Sequence, residues 1–80
     1  MDICKAVIKR INELLVKNDI TLYRLEQNSG ILHGTMMSIM KNRNKNITLK
    51  TLYQLARGFN MTIIEFLNNE VFLNEELEID

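Results

Sequence analysis

The sequence predicts an all-α fold, five short helices followed by an acidic tail, and three observations carry that prediction. Its 80 residues contain no proline and no hairpin-forming turn between alternating strands. Apolar residues recur at three- and four-residue spacing, the period of a helix with one buried face. The periodic runs are separated by Thr21, Gly30, Thr48, Asn60 and Thr62, residues that start or stop helices.

The first helix is expected over about residues 4–17. Val7, Ile8, Ile11, Leu14 and Leu15 form its apolar stripe, and Asn18 stops it. Thr21 suits the N-cap of a second helix over about 22–28, where its hydroxyl accepts from an orphan N–H, and Ile20 with Leu25 forms a hydrophobic staple. Gly30 then allows a left-handed exit, and Ile31 plugs the gap to a third helix, His33 to Lys41, whose buried face carries Met36, Ile39 and Met40. Asn42 to Ile47 reads as a polar connection. Thr48 caps a fourth helix with Leu49, Leu52, Leu55, Ala56 and Phe59 inward, and Asn60 takes the left-handed position after it. The capping box Thr62-x-x-Glu65, with Met61 and Phe66 as a second staple, specifies a fifth helix over about 63–68. From Glu70 to Asp80, apolar residues lie among carboxylates, a pattern compatible with a short helix, an edge strand or a loose end. The expected organisation is one domain over 1–69 and an acidic tail over 70–80, the latter a candidate dimerisation segment.

Composition narrows the function. With 46% hydrophobic and 25% charged residues the chain suits one small core, near the size at which oligomerisation helps stability. Its single cysteine, Cys4, forms no internal disulfide and its single histidine, His33, belongs to no metal-ligand cluster, so neither a metal nor a cofactor is expected. Cys4 reads as a small apolar residue on the first helix. No signal peptide, membrane span, glycine-rich phosphate loop or catalytic dyad is visible, so a cytoplasmic protein that is not an enzyme is expected, with no catalytic residue to name. The formal net charge is zero, but its distribution is uneven. Residues 41–60 carry Lys41, Arg43, Lys45, Lys50 and Arg57 and no acid, while residues 61–80 carry six acids and no base. Because fields act locally, over about a Debye length of roughly 8 Å at physiological salt, a basic segment can attract phosphate while the acidic tail occupies another face.

Two short amphipathic runs broken by Ser29-Gly30-Ile31 and followed by a basic segment form the pattern of a helix-turn-helix. The chain here resembles the phage repressor and Cro-like, or XRE, family of lambda-repressor-like helix-turn-helix domains. The resemblance covers about residues 5–68. It is carried by Thr21 and Leu25, Gly30-Ile31, Thr35-Met36 and Ile39, Leu49-x-Thr51-Leu52-x-x-Leu55-Ala56, and Met61-Thr62-x-x-Glu65-Phe66-Leu67. It implies a compact five-helix domain acting as a sequence-specific DNA-binding regulator, usually a repressor-type homodimer on a palindromic operator. The chain departs from the family at three places. Glu26 replaces a small residue packed against the turn, and its carboxylate is expected to bend outward or reach the N-terminus of the third helix, where the dipole favours it. Leu32 stands at the N-cap of that helix and offers no capping oxygen, and Asn42 replaces a frequent glycine.

Geometry then names the contacts. The N-terminal end of a recognition helix meets base edges, so Leu32, His33, Gly34, Met37 and Ser38 are the base-contact candidates. That edge lacks an arginine for guanine and an asparagine or glutamine for adenine, and suits an AT-containing site of modest specificity. Candidate phosphate contacts are Thr21, Leu22 and Tyr23 at the start of helix two, with Lys41, Asn42, Arg43, Asn44 and Lys45 beside helix three. Phe66, Leu67, Val71, Phe72 and Leu73 are the dimer candidates. Double-stranded DNA and a second copy are the expected partners. An alternative from a different class is a protein interaction module on the same fold, an antitoxin-like or antirepressor partner reached through the acidic tail.

Overall fold

A computed structural model describes residues 1–73, 77 and 78. It contains the five expected helices and a short sixth: α1 (Ile3–Asn18), α2 (Leu22–Ser29), α3 (His33–Met40), α4 (Leu49–Gly58), α5 (Ile63–Leu67) and α6 (Glu70–Leu73). The caps account for these boundaries. The hydroxyls of Thr21, Thr48 and Thr62 accept from the N–H groups of Arg24, Thr51 and Glu65, and Glu65 returns a carboxylate to the Thr62 N–H at 2.8 Å, completing the capping box. Left-handed residues fall at Gly30 (φ 75°), Asn42 (φ 57°) and Asn60 (φ 60°) as the turn chemistry requires. The exit from α1 uses Asp19 (φ 52°), one residue beyond Asn18, whose side chain donates back to the Leu14 carbonyl.

Leu25, Met36, Ile39, Leu55, Phe66 and Ile11 are the large side chains sealed from water, so all of α1 to α5 meet in one core. Leu49, expected inward, is 72% exposed. It is the first residue of α4, and because helical side chains lean toward the N-terminus it projects past the end of the core rather than onto it. Phe66 and Val71, read from sequence as dimer candidates, are instead buried within the monomer. Phe66 lies beneath the Arg10 guanidinium, which is 5.9 Å from its ring centroid. Arg10 also donates from Nε to the Phe66 carbonyl at 2.8 Å and from Nη2 to the Glu65 carbonyl at 3.1 Å, satisfying two acceptors at the end of the five-residue α5. Its Nη1 pairs with Glu13 at 2.7 Å, and Glu13 accepts from Asn69 Nδ2, so α1 holds the chain between α5 and α6.

Helices α2 and α4 approach so closely that a Cβ on Gly58 would stand 2.7 Å from Leu25 Cδ1 and 3.0 Å from Ser29 Cβ. The turn that orients α3 follows directly from Ser29, so this contact sets where the third helix sits.

The tail segment also finds a place. Glu78 pairs in parallel with Asp2, with the Ile3 N–H donating to the Glu78 carbonyl at 3.1 Å and the Glu78 N–H to the Met1 carbonyl at 2.9 Å. Residues 74–76, 79 and 80 of the expected tail lie outside the described residues. Asp2 itself is buried and caps α1, accepting from the Cys4 N–H at 2.8 Å, while its second oxygen accepts from Lys45 Nζ at 2.7 Å. The Lys45 ammonium, then the Cys4 N–H, hold the Asp2 carboxyl below its usual 3.8 against the opposing effect of burial. Burial pushes the Cys4 thiol up, with the Asp2 carboxylate adding to it, which fits a packing role for Cys4.

Gly58→Ala is expected to destabilise the protein. The gain in helix propensity, about 1 kcal/mol, is smaller than the cost of about 1–3 kcal/mol for forcing an extra methyl into a filled core. A net loss near 1 kcal/mol would appear as a melting temperature about 4–8 °C lower, and an unchanged or higher one would contradict the close approach. Asp2→Asn is expected to lower stability at pH 7. Asp2 has a depressed pKa in the folded state, so its contribution is present above the unfolded value and is lost as pH falls through the folded one. Denaturation midpoints of the two proteins should therefore converge below pH 3.8; a gap constant with pH would mean that the carboxylate's charge is irrelevant.

Candidate nucleic-acid interface

The turn between α2 and α3 is built from short-range bonds. Gly30 donates to the Glu26 carbonyl at 3.0 Å, and Ser29 Oγ accepts from the Ile31 N–H at 3.2 Å, which drives Ile31 into the core at 6% exposure. Met36 and Ile39 pin the inner face of α3 to that core. With the turn and the inner face fixed, the opposite edge of α3 is presented outward.

Leu32, His33, Gly34 and Thr35 are exposed along this edge, while Met37 and Ser38 are half-buried. The structure therefore brings Leu32, His33 and Gly34 together as expected, whereas Met37 packs partly against the core. Thr35 was not among the base-contact candidates, although its place three residues after Leu32 puts it on the same face. It borders a shallow hollow with Leu32, Lys50 and Gln54, so α4 contributes a basic residue beside the recognition edge. Lys50 was counted in the basic segment but not linked to α3. Leu32 provides no side-chain cap, leaving the first turn of α3 without that interaction.

Glu26 reaches α3, though through a side chain rather than a backbone N–H. Its Oε2 lies 2.9 Å from His33 Nδ1. The carboxylate is largely covered, with 10% of its side chain exposed, whereas the His33 side chain is 72% exposed.

The basic segment is folded back onto α3. Arg43 and Asn44 donate their N–H groups to the Ser38 carbonyl at 2.8 and 3.1 Å, and Asn44 Oδ1 accepts from the Asn46 N–H. Lys41 and Arg43 stand exposed, while Asn42 is half-buried with its carboxamide oxygen sealed and without a hydrogen-bond partner. Lys45, another phosphate-contact candidate, is exposed but has its ammonium on the carboxylate of Asp2, the N-cap of α1. The partner lies 43 residues away in the chain, too far for local patterning to reveal. At the start of α2, Thr21 and Tyr23 are exposed and Leu22 is half-buried. The α2 N-terminus thus offers backbone donors and the exposed Lys41 and Arg43 offer positive charge, the chemistry that a phosphate backbone attracts.

Of the dimer candidates, Leu67 and Phe72 are half-buried and Leu73 is 68% exposed, joined on α5 by Ile64 at 77% exposure. Among the described residues no helix is long and apolar enough to cross a membrane, and no group of three or more His, Cys, Asp or Glu is placed to hold a metal ion.

Comparison with known proteins agrees with this geometry. Over 76 residues, 95% of this chain and 89% of the other, it is 28% identical to Control protein C.SmaI of Serratia marcescens. No solved structure shows a significant match. Residues 10–70, which span the whole turn and its supporting helices, match the Cro/C1-type HTH DNA-binding domain. The chain belongs to that family, and its general role is that of a DNA-binding regulator.

Proposed function

We propose that the protein is a sequence-specific transcriptional regulator of repressor type, acting in the cytoplasm as a homodimer on a palindromic operator, with α3 entering the major groove. The observation that carries this reading is Gly34. It is the second residue of α3, on the exposed edge, and a Cβ there would meet nothing within 4 Å in the chain. The position is open on its outer side, so a groove-bound α3 can bring its backbone close to the DNA here. Lys41 and Arg43 supply phosphate contacts beside it, and Leu32, His33, Thr35 and Ser38 supply the base-facing side chains. The name of the Serratia marcescens relative, a control protein, supports a regulatory role. Ile64 on α5 and Leu73 on α6 are the exposed apolar side chains offered to the second copy, since a single domain with so few readers gains affinity by engaging two half-sites.

Selection of bound sequences from a random DNA pool at two salt concentrations tests the proposal. The expected result is an inverted repeat with half-sites about one helical turn, roughly 34 Å, apart. Affinity should fall by about 0.9 log units per neutralised phosphate for each tenfold rise in salt. Enrichment of no sequence at low salt would sink the proposal and favour an interaction module on the same fold. Gly34→Ala separates stability from binding: it should raise the melting temperature while weakening operator binding. A variant both more stable and equally tight in binding would show that α3 does not approach the DNA at this point.

A further inference from the structure

His33 is the one ring on the exposed edge of α3 whose hydrogen-bonding sense a neighbour can set, and Glu26 is placed to set it. The Glu26 backbone is part of the turn, its carbonyl accepting from Gly30, so the residue is fixed in position relative to the start of α3. Its carboxylate is mostly shielded from water and stands 2.9 Å from Nδ1 of an imidazole that is 72% exposed. An ionised carboxylate has only acceptors, so the proton in this contact belongs to Nδ1. A neutral imidazole carries a single N–H, which leaves Nε2, on the far side of the ring, with a lone pair and no hydrogen.

We infer that Glu26 is a positioning residue for base recognition: it holds His33 with Nδ1–H inward and presents Nε2 as an acceptor, selecting an exocyclic amino group in the major groove. Adenine N6 and cytosine N4 are the amino donors there, whereas guanine and thymine offer acceptors and a methyl group. The chain thereby reads a base without an arginine, asparagine or glutamine on the edge of α3, and the choice of base is made by a residue that itself stays on α2. The inference rests on α3 being the helix that enters the groove.

His33 is the sole histidine of the chain, so one imidazole gives the whole ¹⁵N ring spectrum. At a pH where the ring spectrum itself reports a neutral imidazole, the wild-type protein should show the Nδ1–H tautomer, and Glu26→Ala should lose it. Selection from a random pool at the same pH should give a half-site with adenine or cytosine at one position. Both Glu26→Ala and His33→Ala should lose preference there by about fivefold while keeping the remainder of the site, and the double variant should lose no more than His33→Ala alone. His33 is exposed, so its variant remains informative if Glu26→Ala unfolds. An Nε2–H tautomer in the wild type, or a Glu26→Ala site with undiminished preference at the His33-dependent position, would overturn the inference while leaving DNA recognition intact. If the wild type enriches no sequence, the reading of α3 as a groove helix fails and the inference with it, even where the ring tautomer still reports the Glu26–His33 pair.

Discussion

The close approach of α2 and α4 at Gly58 is the constraint on which the presentation of α3 depends. Leu25 is sealed completely, Gly58 leaves room for it, and Ser29 touches the same spot immediately before the turn. Two bonds of modest geometry accompany the contact, Asn28 Nδ2 to the Gly58 carbonyl at 3.4 Å and Gln54 Nε2 to the Ser29 carbonyl at 3.5 Å. Apolar packing therefore does most of the positioning, which suits a helix that must be held rigidly from behind while its outer edge stays open. Any displacement of α2 is transmitted through Gly30 and Ile31 to every residue that faces outward on α3.

Around that contact two long-range polar ties close the domain. Arg10 joins α1 to the end of α5, and Asp2 joins the start of α1 to the segment after α3. A buried arginine is costly unless all of its donors find partners, and here carbonyls, a carboxylate and an aromatic face surround it. The second tie has a functional consequence. It pairs the Lys45 charge with a carboxylate and leaves Lys41 and Arg43 exposed after α3, with Lys50 of α4 beside the α3 edge. Glu78 from the acidic tail pairs through its backbone with the same Asp2 that holds Lys45, so the ends of the chain meet at this tie.

The exposed edge of α3 is sparse, and its chemistry comes from arrangement more than from residue type. On the proposed reading Gly34 provides proximity, Leu32 an apolar contact, Thr35 and Ser38 hydroxyls that donate or accept, and His33 a direction set by Glu26. Hydroxyls are permissive readers because they rotate to suit their partner. An imidazole held by a carboxylate is selective, since one nitrogen is committed and the other is left with a defined role.

By itself the sequence determined α1 to α5, the caps of α2, α4 and α5, and the helix-turn-helix. The interactions that fix them lie within three or four residues, as at Thr21, Gly30, Thr48 and the Thr62–Glu65 box, and so remain visible in a linear string. The exposed Leu32, His33 and Gly34 were legible for the same reason, being the N-terminal edge of a helix whose inner face was marked by Met36 and Ile39. Only the tertiary structure decided that Lys45 is taken by Asp2, that Phe66 and Val71 belong to the monomer core, that Leu49 escapes it, and that Gly58 must stay small. Each of these depends on which helices meet, and pairs such as Arg10–Phe66, 56 residues apart, leave no periodic trace in the chain. The Glu26–His33 contact lies between the two cases. The misfit of a carboxylate at the turn could be read from sequence, but the imidazole that receives it became evident only once the turn had brought the two helices together.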